Sequence, residues 1–382
     1  MLRKIYSNQE NKIVDKVDRT IIEKVISKLI KSNTLLKEDN LKLREEIEEV
    51  LKQQFKINSI ELVKKYKEQI LYKINGYDFI QKYINDKLVS DIRLIEYNRI
   101  YIKKNGNWKR VRERFKSKPE YENFIYSCII KNGGKISYDS PIIVISDKKY
   151  KLRIEVGIQP VNIFNASMVI RIHRDNENMD FDKLLALDVF DEFCKGKLKE
   201  YVIDKRSILI SGKSGSGKTT LMKAIINSYD NNTSMISNEE TAELYIKNKN
   251  IIQREVIKNE NMNINLELLT RQALVSSNDI MIVGEIKDGD ALSFIDSITT
   301  GHTGIGTIHS NNAYTTINRL AILAKRSVHA QNYNVEFLQD CISSSLEVII
   351  YMKNFKINEI LEVNYDYEKR AYSYIKVYEC QK

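Results

Sequence analysis

SILISGKSGSGKTTLMKAI, running from Ser207 to Ile225, places an apolar stretch, a glycine-rich loop and a helix-periodic stretch in unbroken succession. Gly212, Gly215 and Gly217 let the backbone wrap tightly enough to aim several N–H groups at one point. A helix starting directly after them adds the positive end of its dipole. That combination suits a polyphosphate, with Lys213, Ser214 and Ser216 filling the loop around the glycines. In this pattern Lys218 is expected to bridge the β and γ phosphates of ATP, the Thr219 hydroxyl to bind Mg²⁺, and Thr220 to reach the α phosphate. The motif stands in the strand, loop and helix context its chemistry requires, so the expectation is ATP binding and not a ligand-free glycine turn.

Toward the C-terminus, DIMIVGE ends in Glu285 after four apolar residues. A carboxylate at the carboxyl end of a parallel strand lies where ligands of such sheets gather, which makes Glu285 the candidate for activating water. Strand and helix patterns alternate through SILIS, Thr219–Asn227, Leu266–Ser276, DIMIVGE, Asp290–Thr299, GIGTIHS and Thr315–Lys325. Such alternation predicts an α/β domain with a mostly parallel sheet and helices on both faces. SLEVIIYMKNFKINEILEV and AYSYIKVYE read as antiparallel strands.

The front half reads differently. Apolar positions recur at helical spacing through Val14, Val17, Ile21, Val25, Ile26, Leu29, Leu43, Ile47, Val50, Leu51, Ile60, Leu62, Val63 and Tyr66, predicting two or three amphipathic helices. From Gly76 to Arg171 the pattern mixes strand alternation, in IRLIEYNRIYIKK and PIIVISDKKYKLRIEVGI, with a helix near Tyr121–Lys131, as in a compact α+β domain. HRDNENMDFD, from His173 to Asp182, is polar and reads as a linker. The expected division is a helical N-terminal extension over 1–72, an α+β domain over 73–174, a linker over 175–182 and an α/β domain over 183–382.

A chain of 382 residues with 42% apolar and 29% charged residues has the composition of a soluble globular protein and the length for two domains. No apolar run approaches the roughly 18 residues of a membrane-spanning helix, and MLRKIYSNQENK lacks the apolar centre of a signal peptide, so a cytoplasmic place is expected. Cys128, Cys194, Cys341 and Cys380 are scattered without a CxxC pair and read as small buried apolar residues. Of the net charge of +10, about +12 falls in residues 1–210 and about −2 in the rest. The densest stretch, Lys103 to Lys118, interleaves Trp108 and Phe115 with eight Lys and Arg. Nucleic acid or anionic lipid is one reading; a hairpin turning at the NG pair with solvated lysines is the favoured one.

Four blocks taken together, GKSGSGKT at Gly212, NEETAEL at Asn238, DIMIVGEIKDGDAL at Asp279 and TGHTGIGTIHSNN at Thr300, resemble the Walker A, Asp box, Walker B and His box of the type II/IV secretion ATPase superfamily. VIRIHR and NGYDFIQKYINDKLVSDIRL resemble the end and the opening of that family's N-terminal domain. The pattern is most similar to the branch serving Tad/Flp pili, with the conjugation-system ATPases next. The resemblance implies a RecA-like P-loop motor domain, ATP hydrolysis with Mg²⁺, a ring homo-oligomer (a hexamer), and attachment to an inner-membrane platform protein at the inner face of the membrane.

Carried residue by residue, the resemblance puts Glu239 and Glu240 at the acidic pair of the Asp box, followed by Glu243. Carboxylates there would hold Mg²⁺ through water or position the nucleophile, with Glu240 standing where Asp is usual. His302 and His309 stand at the His-box positions. Alone each reads as a structural histidine, whereas the resemblance implies γ-phosphate sensing. Arg171 matches an arginine that reaches the nucleotide from the N-terminal domain, and Arg319 and Arg271 match arginines near the subunit boundary, where one can act as an arginine finger. Two departures stand out. The Arg-x-Arg-Pro-Asp usual before Walker B is Val275-Ser276-Ser277-Asn278-Asp279 here, and the arginine after the Walker B glutamate is Lys287. An ammonium lacks the bidentate guanidinium fork, so a weaker contact is expected there.

Overall fold

The computed structural model describes residues 21–22, 24–26, 40–57, 59–173, 179–247, 249–259 and 262–380. Val14, Val17 and Leu29 of the helical reading and 175–178 of the linker lie outside them. Contacts divide the chain into one unit of residues 1–143 with 154–172 and a second of 144–153 with 173–382.

In the first unit, α1 (Asn40–Phe55) and α2 (Ile60–Asn75) pack through Ile47, Val50, Leu51, Val63, Tyr66 and Ile70, with Ile22 and Val25 joining them. Ser59 caps α2 by accepting the N–H of Leu62. Ile60 and Leu62, apolar in the helical pattern, are exposed at the start of that helix. A short α3 (Gln81–Asn85) leads into a six-stranded sheet. Its strands are β1 (Val89–Glu96), β2 (Arg99–Lys104) and β3 (Asn107–Arg110), then, after α4 (Lys118–Lys131), β4 (Ile142–Asp147), β5 (Leu152–Gly157) and β6 (Ser167–Ile172). They lie in the order β3-β2-β1-β6-β5-β4, with residues 144–153 at the β4–β5 end counted with the second unit. Alternation along β1 turns Ile92 and Leu94 into the core. Tyr121 of α4 fastens helix to sheet, its buried hydroxyl donating to the carbonyls of Leu94 and Ala166. Asn105 and Gly106, both at positive φ, make the β2–β3 turn that the NG pair predicts.

The main run of the second unit, from His173 onward, takes in the stretch read as a linker. Asp180 caps α5 (Phe181–Ala186) through the N–H of Lys183, and Phe181 is buried with its ring 6.2 Å from that of Phe190. Phe181 near the end of the polar run and Leu184 a turn later anchor this helix in the core. There follow α6 (Glu192–Ile203), β7 (Ile208–Gly212), α7 (Lys218–Ser228), β8 (Met235–Glu239), β9 (Ile251–Glu255), a small hairpin of β10 (Ile257–Asn259) and β11 (Met262–Ile264), α8 (Leu266–Ala273), β12 (Ile280–Ile286), α9 (Asp290–Thr299), β13 (Thr303–Ile308), α10 (Thr316–Ala324), α11 (Val335–Ser343), β14 (Val348–Lys353), β15 (Lys356–Asp366) and β16 (Ala371–Glu379).

Eight strands form the main sheet in the order β16-β15-β14-β7-β13-β12-β8-β9. From β14 to β9 neighbouring strands run parallel, while β15 and β16 continue it antiparallel. Every residue of β7 is buried, as a strand covered on both faces requires. Ile208 and Ile210 turn to one face with Leu198, Leu221 and Ile225, and Leu209 turns to the other with Phe294, Ile317 and Leu320. The TGIG of β13 has a packing reason. A Cβ on Gly304 would lie 2.3 Å from Cγ2 of Ile298 and 3.1 Å from the Phe294 ring, so α9 rests directly on the strand backbone. Gly304→Val is expected to destabilise the protein by about 1–3 kcal/mol through overpacking, read as a lowered urea midpoint, whereas Thr303→Val at the half-buried strand start should cost less.

Candidate nucleotide site

Parallel pairing sends the carboxyl ends of β7, β13, β12 and β8 to one edge of the sheet. β7 ends in the glycine-rich loop, β8 in Glu239, β12 near Glu285, and β13 just before His309. Gly212 leaves β7 at φ 150, and a Cβ there would sit 2.4 Å from the carbonyl oxygen of Met352, so no side chain is tolerated at the point where the loop begins. Gly217, at φ 99, delivers the chain into α7.

Lys218 is buried, its ammonium 3.1 Å from the carbonyl oxygens of Gly212 and Lys213. Burial pulls its pKa down, and Glu285 and Glu243 work against that. Its nitrogen is also 3.4 Å from Nδ1 of His309, which lies 3.1 Å from the Gly212 carbonyl. On the other side of the ring, Nε2 of His309 is 2.5 Å from Glu285 Oε1, and the second Glu285 oxygen is 2.8 Å from the Lys287 ammonium. Burial raises the Glu285 carboxyl, but the Lys287 hydrogen bond and charge, with His309 and Lys218, outweigh it and hold the group below the usual carboxylate value. Lys287 makes the single-point contact expected of an ammonium. Its backbone is pinned by buried Asp290, which accepts the N–H groups of Lys287 and Asp288. The strand carrying Glu285 is tied to its neighbour by Thr307, which donates to the Gly284 carbonyl at 2.7 Å.

Within the Asp box the two glutamates separate. Glu239 is the buried one, accepting the N–H groups of Glu243 and Leu244 at 2.8 and 3.0 Å. Burial pushes its carboxyl up to about 7 against those bonds. Glu239 therefore folds the loop back, while Glu240 is half-buried just past the strand end and Glu243 is close enough to act on Lys218. Beside the phosphate loop a cleft of about 550 Å³ is lined by Lys213, Ser214, His309, Asn311 and Arg319, among others.

The structure does not bring every expected residue here. His302 precedes β13, and β13 runs parallel to β7, so His302 lies at the amino edge of the sheet, about 20 Å of strand from His309. Its ring faces Thr300, at 3.4 Å. The γ-phosphate role expected of His302 is thus corrected within its own chain, because a strand separates the two histidines of the box. Val275 to Asp279 share that amino edge, where Asp279 accepts the N–H of Ser234, so the missing arginines leave the chain's own phosphate loop untouched. Arg271 on α8 meets His329, its Nη1 3.2 Å from Nε2. Arg171 belongs to the first unit, on β6, where its Nε is 3.1 Å from Asp91 of β1. The Lys287 contact is the one expected of a lysine in place of the usual arginine, whereas the part played by Asp290 and the inward turn of Glu239 were not read from the sequence.

ATP and a divalent ion fit this site by its donor set. The loop is wrapped by positive-φ glycines at a helix start, Lys218 is its buried cation, and neither the Thr219 nor the Thr220 hydroxyl is hydrogen-bonded within the described residues. A strand, phosphate loop and helix on a parallel sheet, with a carboxylate on a nearby strand, define a P-loop domain of RecA-like architecture.

The model of the type II/IV secretion system protein family matches residues 135–356, and the chain belongs to that family. It is 31% identical over 213 residues to the type IV secretion system protein VirB11 of Bartonella quintana, covering 54% of this chain and 58% of that protein. Over 232 residues it is 25% identical to the conjugal transfer protein TrbB of Rhizobium radiobacter, covering 58% and 68%. The solved structure of the pilus retraction motor PilT with bound ADP shares the fold, with a TM-score of 0.55 at 21% identity over 80% of this chain and 83% of that one. The chain spans about half the length of the curated relatives it matches.

A carboxyl whose folded pKa exceeds its unfolded value costs stability as pH rises between the two. For Glu239 that window runs from 4.5 to about 7. The wild type should lose up to about 3 kcal/mol across it from this group. Glu239→Gln should flatten the loss, as measured by urea unfolding at pH 5 and pH 8.

Proposed function

We propose that this chain is an ATP-hydrolysing motor of a pilus, secretion or conjugation machine. One observation carries the reading: Glu285 stands one strand away from β13 and its His309, and two from the phosphate loop, oriented by His309 and Lys287 and kept ionised by them. Backbone N–H groups of residues 212–219 and Lys218 would bind the phosphates, and Thr219 and Glu240 would hold Mg²⁺, whose charge offsets that of the phosphate oxygens. Glu285 would orient water and take its proton, with His309 linking that carboxylate to Lys218. Arg171 is a further nucleotide-contacting candidate on the strength of the family resemblance.

Beyond the chemistry, the reading includes a ring oligomer, a hexamer, docked on a membrane platform protein at the cytoplasmic face. Among the described residues no helix is long and apolar enough to cross a membrane. A Tad/Flp pilus is the machine favoured by the motif pattern. The similarity to a conjugal transfer protein supports a DNA-transfer machine as the second reading. Capture from the native cell separates them, since a platform protein with small pilin-like subunits supports the first and a relaxase-like partner the second.

Glu285→Gln is expected to bind a non-hydrolysable ATP analogue within about threefold of wild type and to lose turnover by at least about 100-fold; undiminished turnover would sink the assignment. Lys218→Ala should lose the binding itself. Removing the Lys287 ammonium lets the Glu285 pKa rise, so in Lys287→Ala the acid limb of the pH–rate profile should move to higher pH. Lys287→Arg should leave it close to wild type.

A further inference from the structure

The segment from Lys103 to Lys118 joins a wider surface once the sheet of the first unit is formed. Cross-strand partners share a face, and the register sets Arg93 beside Tyr101 and Tyr101 beside Arg110. One row along, Asp91 stands beside Lys103 and Lys103 beside Trp108. Ile92, Leu94, Ile100 and Ile102 are buried, so these alternating neighbours lie on the outward face of β1, β2 and β3. The guanidinium carbon of Arg93 sits 4.6 Å from the centre of the Trp108 ring. The only carboxylate in the two rows, Asp91, is taken by Arg171 and by the Ser90 hydroxyl. Among the described residues no carboxylate lies within ion-pair distance of Arg93, Lys103 or Arg110.

Lysines on an edge hairpin are ordinary protection against strand pairing. Protection does not explain the rings. Trp108 is the chain's single tryptophan, it is 41% exposed, and it is stacked against an arginine in place of the core. Two aromatic residues on diagonal positions, which a sheet spaces about 7 Å apart at the backbone, stand beside cations that have no carboxylate partner, Arg110 donating only to the carbonyl of Asn98; such a set suits stacked bases and the charge of the phosphates linking them. We propose that the outward face of β1–β2–β3 binds single-stranded nucleic acid, with bases stacking on Trp108 and Tyr101 and phosphates contacting Arg93, Lys103 and Arg110. This surface is independent of the ATP-hydrolysis reading, and its test requires no turnover.

Because Trp108 is the sole tryptophan, its emission reports the face directly. The full-length protein is titrated with a 12-nucleotide oligo(dT), reading tryptophan fluorescence and the anisotropy of a labelled oligonucleotide, at several salt concentrations. Quenching is expected, with an affinity that falls at a log–log salt slope of about 2 for three phosphate contacts. Lys103→Glu with Arg110→Glu should weaken binding at least tenfold, and Trp108→Ala should weaken it by roughly 5- to 100-fold in anisotropy, each with an unchanged circular dichroism spectrum. Four outcomes overturn the proposal: no quenching at low salt; unchanged affinity in the charge-reversal variant; equal quenching by vesicles of anionic lipid, which would make the ligand a membrane surface; and displacement of the oligonucleotide by an ATP analogue, which would place it in the nucleotide site.

Discussion

Parallel pairing of β7, β13, β12 and β8 is the constraint on which the rest of this structure depends. A parallel strand must return to the starting edge through a crossover connection before it can pair again, so every strand of the set ends on the same side. Groups far apart in the chain, the glycine loop after β7, Glu239, Glu285 and His309, thereby meet at one edge. The same geometry excludes. His302, only seven residues before His309, starts the strand that His309 ends, and so stands at the opposite edge.

At that edge the electrostatics are organised as a relay with one carboxylate, Glu285, between His309 and Lys287. Lys218, His309, Glu285 and Lys287 follow one another within hydrogen-bond reach. Burial alone pushes the acid and the amine toward their neutral forms. Mutual pairing keeps the carboxylate charged, although the lysine is still pulled below its ordinary value. The relay also explains why a lysine is tolerated after Glu285 in place of arginine: one oxygen needs one donor, since the other is taken by His309. Asp290 aims that lysine by holding its backbone, which places a buried carboxylate in support of an exposed cation.

The first unit follows a different logic. Its strands β3, β2, β1 and β6 pair antiparallel, and β1 to β3 bury one face and leave the other to solvent, so charge and aromatic residues accumulate on the open face without cost to the core. In the sequence the same residues look like a solvated hairpin, because Arg93 is ten residues away from the nearest basic neighbour of that segment. Register across β1, β2 and β3 assembles them.

The sequence by itself determined the strand, loop and helix of the phosphate site, the α/β alternation behind it, the NG hairpin and the candidacy of Glu285, because each is written in local spacing and local backbone chemistry. Tertiary structure decided what depends on pairing between distant strands. It turned Glu239 inward as the buried fastener of the Asp box, divided the two histidines between opposite edges and gave Lys287 a carboxylate to hold. It also drew Asp180 and Phe181 out of an apparent linker into a capped helix. Local patterns state which face a residue belongs to; only the order and direction of strands state which edge it reaches.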